Sequence, residues 1–161
     1  MIGDLDPHAL WYVMNHLRVK DRKEFEATLL IEGRVDVACE RLWQAPGQKF
    51  QAMLPNGKPA VIGGFSPIWP GLCAGWLWGT ADWPDVAIEV TSFVKHAILP
   101  QLRDKGIHRI ECRPMVGNDD VQRWLKLVGF RKEAVVAQFG QGREDFYLYA
   151  WTALNGVNVT N

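Results

Sequence analysis

The segment LCAGWLWGTADWPDVAIEVTSFVKHAILPQLRDKGIHRIECR, residues 72–113, decides the fold. Its first eight residues are an apolar run that predicts a buried strand, with Trp76 and Trp78 on one face of that strand. Apolar residues then recur at helical spacing over residues 82–105, and residues 107–113 alternate again as a strand. This order predicts a helical crossover between two strands of one sheet.

Elements predicted on either side of this segment extend the sheet and add helices. The predicted elements before it are helices at 7–18 (begun by Asp6-Pro7) and 34–44, a short helix capped by Asp21, a hairpin turning at Asn56-Gly57, and a connector at 66–71. Those after it are a helix at 118–128 and a hairpin of strands 130–139 and 145–152. Pro100 should kink or loosen the long helix, because it has no N–H. The sequence therefore predicts an α/β domain, of the α+β kind, with a mixed sheet and helices on both faces.

Length and composition limit the classes of protein to consider. The chain has 161 residues, which corresponds to one domain, predicted as residues 1–154 with a frayed tail at 155–161. Eighteen basic residues balance eighteen acidic ones, so strong nonspecific binding to nucleic acid is not expected and self-association is favoured. No apolar run approaches the roughly 20 residues of a membrane span. The acidic N-terminal segment does not resemble a secretion signal.

The cysteines and histidines do not have the spacing of metal ligands. Cys39, Cys73 and Cys112 are far apart in the sequence, and each has apolar neighbours. We interpret them as reduced, largely buried thiols. His8 and His16 are too far apart for the i, i+4 pair of a zinc site, and the other histidines lie on different predicted elements. No metal site is predicted.

The stretch NDDVQRWLKLVGF, residues 118–130, resembles a pattern near the C-terminus of the GNAT superfamily of N-acetyltransferases. Asn118 fits the first position of that pattern, and Gly129 and Phe130 fit the eleventh and twelfth positions after it. The order of elements from 49 to 152 fits as well. The resemblance implies a GNAT-like, mostly antiparallel twisted sheet with helices on both faces, and acetyl-CoA as the cofactor of the active members.

Other segments resemble a narrower group, the degenerate acetyltransferase-like proteins of short-tailed phages, which includes internal virion protein A. The similar features are the segment 17–24, the run Ile62-Gly63-Gly64, and a tryptophan-containing strand followed at once by the long helix. This resemblance implies a bacteriophage virion protein found in the virion or the host cytoplasm. Its partners would be other virion or assembly proteins, or further copies of itself, and neither nucleic acid nor a membrane.

The sequence differs from the superfamily pattern at two places, the turn that binds the acetyl-CoA pyrophosphate and the position of the general acid. Its enzymes bind the acetyl-CoA pyrophosphate on a glycine-rich turn that opens the long helix, where bare N–H groups and the helix dipole attract the anion. The corresponding turn here, residues 79–85, has one glycine and carries Trp83, Pro84, Asp82 and Asp85. These acids also suit ordinary helix capping.

The second departure is at position 125, where many members carry a tyrosine that acts as general acid. Leu125 has no proton to give. The two losses favour a protein without catalytic residues or cofactor that acts through protein–protein contacts. The alternative is an active acetyl-CoA-dependent N-acyltransferase with an atypical pyrophosphate site. The cofactor-binding residues of that alternative would be Trp76, Leu77, Trp78, Thr80 and Asn118.

Several side chains have both a functional and a structural interpretation. Trp76 and Trp78 could line an acyl-donor cleft, but core packing is favoured for both. Trp69 and Trp83 lie in predicted loops and could form an exposed docking surface. Glu111 could act as a general base. Pairing of its carboxylate with an arginine at 109 or 113 is the favoured alternative. The basic run 18–23 is interleaved with acids and is interpreted as a solvated face.

Overall fold

A computed structural model describes residues 1–154 of the chain. The strands are β1 (Ile2–Asp4), β2 (Gln48–Met53), β3 (Pro59–Trp69), β4 (Leu72–Gly79), β5 (Arg109–Cys112), β6 (Arg131–Val136) and β7 (Phe146–Thr152). The α-helices are α1 (Pro7–Asn15), α2 (Val19–Thr28), α3 (Val35–Gln44), α4 (Trp83–Phe93), α5 (Leu99–Asp104) and α6 (Asp119–Leu127), and a π-helical turn (Val94–Ile98) joins α4 to α5.

The seven strands form one sheet in the order β1-β2-β3-β4-β5-β7-β6. Strands β1 and β2, β2 and β3, β5 and β7, and β6 and β7 pair antiparallel, whereas β4 and β5 pair parallel. The parallel pair is the one joined by the helical crossover, as a parallel connection requires. The predicted α/β class with a mixed, mostly antiparallel sheet is confirmed.

The chain divides into two compact units. The first unit comprises Met1–Ser66 and Trp76–Val90, and the second comprises Pro67–Gly75 and the chain from Thr91 onward. Helices α1, α2 and α3 supply most of one apolar core cluster of the first unit, and strands β3 and β4 add Ile62 and Trp78 to it. Buried side chains of the second unit include Ile110, Leu125, Phe130, Phe146, Tyr149 and Trp151. The predicted domain limit at residue 154 stays a prediction, and the tail 155–161 lies outside the described residues.

The long helix after β4 is interrupted where Pro100 predicts it. The residues of the π-helical turn precede Pro100, and the N–H of Leu99 donates to the carbonyl of Val94, five residues back. A proline cannot donate a backbone hydrogen bond, and a π turn is one way in which a helix accommodates the missing bond. The predicted local loosening is confirmed.

Three local predictions are wrong. The N-terminal strand β1 was not expected. It pairs with β2 through Ile2 opposite Ala52. The predicted connector at 66–71 is mostly strand, since β3 continues to Trp69 and leaves a tight turn at Gly71, where φ is +90°. Helix α2 begins at Val19, so Asp21 lies inside it and is not its N-cap.

The N-cap predicted for the first helix is confirmed. The carboxylate of Asp6 accepts the Ala9 N–H at 2.8 Å, and Pro7 takes the first helical position. The amide of Gln51 also donates to this carboxylate, at 2.9 Å. The Ala9 N–H, and after it the Gln51 amide, lower the pKa of Asp6 below its usual value. The ionised form is therefore the one that stabilises the fold.

We expect Asp6→Ala to lower the free energy of unfolding by about 1 kcal/mol at neutral pH, because helix α1 loses its cap. A carboxylate whose pKa is lowered on folding stabilises above its unfolded pKa of about 3.9, and this stabilisation is lost as the pH falls through the lower folded value. The difference between wild type and Asp6→Ala, measured by urea unfolding, should therefore shrink below about pH 4. Asp6→Asn keeps an oxygen acceptor and should lose less at neutral pH. A difference that is constant with pH would contradict this account.

Candidate functional site

The candidate site is the turn at which β4 passes into helix α4, residues 79–85, which we call the α4 entrance. Strand β4 ends at Gly79 and helix α4 begins at Trp83, so three residues connect the two elements. The turn belongs to the first unit, which also contains α1, α2 and β3. Its capacity to bind an anion depends on which of its backbone N–H groups are available.

The N–H groups on the strand side of the α4 entrance already have acceptors. The N–H of Gly79 donates to Asp21 Oδ2 at 2.8 Å, in a buried hydrogen bond. The N–H of Thr80 donates to the carbonyl of Ala60 at 2.9 Å. Both groups therefore stabilise the protein's own structure and would have to be released before they could bind a ligand.

The helix side of the α4 entrance is also internally bonded. The N–H of Asp82 donates to Thr80 Oγ1 at 3.2 Å, and the N–H of Trp83 donates to the Thr80 carbonyl at 3.1 Å. The N–H of Asp85 donates to the Asp82 carbonyl at 3.1 Å. Pro84 has no N–H to offer. Four successive positions of the first turn thus provide no uncommitted backbone donor.

Asp21 fixes the α4 entrance from helix α2. Its side chain is 3% exposed, and besides the Gly79 N–H it accepts the Nε–H of Arg18 at 2.9 Å. Arg18 in turn donates its backbone N–H to the carbonyl of Gly79 at 3.0 Å, and its guanidinium lies over the ring of Trp83, 5.7 Å from the centroid. Arg18 and Asp21 are therefore structural partners of the turn. The prediction that the basic run 18–23 is a solvated face is wrong for Arg18.

A second ion pair holds the acid at position 82. Asp82 Oδ2 lies 2.7 Å from Lys58 Nζ, and the Asp82 carboxylate is the main reason why the pKa of Lys58 is raised. The acid expected to cap α4 is thus paired with a lysine that follows the Asn56-Gly57 turn. The two cations near the entrance, Arg18 and Lys58, are already neutralised by carboxylates of this chain.

The candidate cofactor residues are distributed over both units. Trp76, Leu77, Trp78 and Thr80 lie in the first unit and Asn118 lies in the second. Trp78 belongs to the apolar core of the first unit, in edge contact with Phe25, and Trp76 packs against that core. The favoured core interpretation is confirmed for Trp78, whereas Trp76 is only partly buried against that core. Thr80 is buried, and it uses its hydroxyl and carbonyl to bond the turn.

Two residues are relevant to the question of a general acid, Leu125 and Tyr149. Leu125 lies in α6 and is 2% exposed. The hydroxyl of Tyr149, in β7, was not identified in the sequence analysis. It is buried, bonds Gln122 Oε1 at 3.2 Å, and burial raises the pKa of its phenol. Its only sequence signal is a place in an alternating strand, which does not distinguish a functional tyrosine from a core tyrosine.

Glu111 is part of a charged network of the second unit. Its carboxylate accepts from Arg109 Nε at 2.8 Å and from Arg113 Nη2 at 3.2 Å. Arg109 also donates to Glu133 through its two terminal guanidinium nitrogens, Nη1 and Nη2. This contact raises the pKa of Arg109 and lowers the pKa of Glu133. The pairing predicted for Glu111 is confirmed, and it involves both arginines.

The two loop tryptophans have different environments. Trp69, the last residue of β3, is 63% exposed, and the neighbouring Ile68 is 54% exposed. Trp83 is the first residue of α4 and is half-buried beneath Arg18. The predicted exposure is therefore confirmed for Trp69 and wrong for Trp83, and docking at Trp69 stays a prediction.

The cysteines behave as ordinary apolar side chains. Cys39 and Cys73 are buried and Cys112 is half-buried, and all three are free thiols. Burial raises the pKa of the Cys39 and Cys73 thiols, so both are protonated at neutral pH. Over residues 1–154, no helix combines the length and the apolar character that crossing a bilayer would take.

Solved structures of N-acetyltransferases share this fold. A variant of the spermidine N-acetyltransferase SpeG from Vibrio cholerae matches with a TM-score of 0.72 at 12% identity, over 100% of this chain and 99% of that one. A ribosomal-protein-alanine N-acetyltransferase from Brucella melitensis matches with a TM-score of 0.70 at 14% identity, over 94% and 99%. AAC(6')-Ib in complex with ribostamycin and coenzyme A matches with a TM-score of 0.68 at 15% identity, over 100% and 97%.

No protein-family model and no curated protein matches the sequence. At these identities the similarity establishes the fold, and the fold is that of the GNAT acetyltransferases, as the resemblance implied. Function must be argued from the site.

We expect Asp21→Ala to lower the free energy of unfolding by about 2–4 kcal/mol, because it leaves a buried N–H of Gly79 and the Arg18 guanidinium without their acceptor. Glu26→Ala, on the same helix, removes a half-exposed acid paired with Arg22 and should cost about 0.5 kcal/mol or less. Urea unfolding of both variants measures the difference. Equal costs would show that Asp21 does not hold the α4 entrance.

Proposed function

We propose that this protein uses a GNAT fold without efficient acetyl transfer and acts through protein–protein contacts in a tailed-phage virion or during its assembly. The observation that carries the first half of this proposal is the internally bonded α4 entrance. Of the N–H groups of the turn, those of Gly79, Thr80, Asp82, Trp83 and Asp85 donate to Asp21, to Ala60 and to the turn itself.

The cost of seating a diphosphate at the α4 entrance supports this proposal. The ligand would have to replace the Asp21 carboxylate on Gly79, in a place where that carboxylate is buried and paired with Arg18. It would also bring new negative charge close to Asp85, whereas the charge of Asp82 is balanced by Lys58. Two unit charges of the same sign about 5 Å apart repel by about 3 kcal/mol at the effective dielectric constant of a protein surface. These penalties oppose binding, whereas a glycine-rich turn would favour it.

The buried Leu125 supports the same conclusion for the chemical step. An amine acetyl transfer needs a proton for the departing thiolate, and a leucine side chain cannot supply one. The superfamily pattern often places a tyrosine at this position. The side chain is 2% exposed, so it fills a core position of α6.

The virion half of the proposal depends on the resemblance of segment 17–24 and of Ile62-Gly63-Gly64 to the phage group. The exposed pair Ile68 and Trp69 is the kind of apolar surface that protein contacts use. The balanced charge of the chain makes association easier, with itself or with other virion and assembly proteins. The protein would then be found in the virion or in the host cytoplasm.

The second candidate is an acetyl-CoA-dependent N-acyltransferase with an atypical pyrophosphate site. It is favoured by the similarity of the fold to N-acetyltransferases, one of them in complex with coenzyme A. In this case the backbone around Trp76, Leu77 and Trp78 would hold the pantetheine arm, and the acceptor amine would enter directly.

Calorimetric titration with acetyl-CoA separates the two candidates. We expect no binding heat at millimolar ligand, because the N–H groups of Gly79, Thr80, Asp82, Trp83 and Asp85 are already bonded within the protein, which leaves the diphosphate only the N–H of Ala81 at the α4 entrance. The same preparation should show a cooperative thermal unfolding transition, which demonstrates that the protein is folded. Saturable binding at micromolar acetyl-CoA would reject the proposal and favour the acyltransferase.

The proposed role in the virion is tested separately in purified phage particles. We expect the protein to copurify with intact particles, at a constant ratio to a known capsid protein through successive gradients. Consistent absence from the particles, together with absence from assembly intermediates in infected cells, would reject this half and leave the conclusion about acetyl-CoA unaffected.

A further inference from the structure

The second unit has an open cavity that neither candidate function uses. It lies where helix α6 ends and strand β6 begins, and its volume is about 460 Å³. The residues that line it are Lys126, Gly129, Phe130, Arg131 and Lys132. This volume falls within the range of small-molecule sites.

The lining of this cavity is strongly basic. Three of its five residues are cations, none is an acid, and all three cationic residues are exposed. Over residues 1–154, no carboxylate lies within ion-pair distance of Lys126, Arg131 or Lys132. The nearest acid in the sequence, Glu133, is held by Arg109. In a chain with no net charge, three unneutralised cations around one cavity are a local concentration of positive charge.

The surrounding structure limits what else the cavity offers a ligand. The N–H groups of Gly129 and Phe130 donate to carbonyls of α6, at 3.1 and 2.9 Å, so these two groups are not available to a ligand. Phe130 is 4% exposed and therefore presents no open ring for a base to stack on. Lys132 Nζ lies 3.9 Å from the ring centroid of Tyr147, a cation–π contact that restrains the ammonium group.

We propose that this cavity binds a compact oligophosphate anion through Lys126, Arg131 and Lys132. An oligophosphate carries several negative charges over a short distance, which matches three cations in a space of this size. The planar guanidinium of Arg131 can hold two phosphate oxygens at once, and the lysines act as point charges. The absence of an exposed ring in the lining favours recognition of the phosphates and not of a nucleoside.

The test is calorimetric titration of the full chain with inorganic tripolyphosphate at low salt. We expect saturable binding at one site, and a binding constant that falls severalfold when the ionic strength rises from about 0.05 to 0.15 M. The variant K126Q/R131Q/K132Q should bind at least about tenfold more weakly. The matched control K23Q/K95Q/K105Q removes three exposed cations elsewhere and should bind within about twofold of wild type.

A charge-conserving variant separates loss of binding from loss of structure. K126R/K132R keeps every charge of the cavity and should retain binding within about twofold. The thermal unfolding transition of each variant shows that it is folded. No saturable binding of tripolyphosphate at millimolar concentration would overturn the proposal. So would equal weakening in the two triple variants, because that would show diffuse attraction and not a site.

Discussion

The account depends on one buried hydrogen bond, from the N–H of Gly79 to the carboxylate of Asp21. The bond joins the last residue of β4 to helix α2, and Arg18 neutralises the carboxylate from the preceding turn. Removing one partner from such a buried pair is costly, because it leaves a charge or a donor uncompensated away from water. The N–H of Gly79 that donates to Asp21 is therefore not available to an external anion.

The α4 entrance shows how a fold can keep its backbone while its binding chemistry changes. The helix N-terminus still carries a partial positive charge, as every helix does. Here that charge and its N–H groups are satisfied from within, by Asp21, by the Thr80 hydroxyl and carbonyl, and by the Asp82 carbonyl. Trp83 and Lys58 then fix the side chains around the turn. The similarity to N-acetyltransferases in solved structures therefore describes the scaffold, and the side chains at the turn carry the functional argument.

Sequence patterns predicted the features that depend on local interactions. The strand–helix–strand segment, the interruption at Pro100, the Asn56-Gly57 turn and the Asp6 cap each depend on residues a few positions apart. The prediction of a connector at 66–71 was wrong because Pro67 does not end strand β3. The register pairs of β2 with β3 end at Phe65, and beyond them a proline in β3 does not remove a hydrogen bond to β2. Strand β1 is three residues long and has too little periodicity to be recognised.

The candidate site was predictable only in part. The departures at Trp83, Pro84 and Leu125 are visible in the sequence, but the role of Asp21 is not, because its partner Gly79 lies 58 residues away. The most direct measurement is the amide NMR spectrum of the chain during addition of coenzyme A. We expect the Gly79 and Thr80 amide resonances to keep their positions. Saturable shifts of these two amides would contradict the account, because they would show that coenzyme A binds at the α4 entrance.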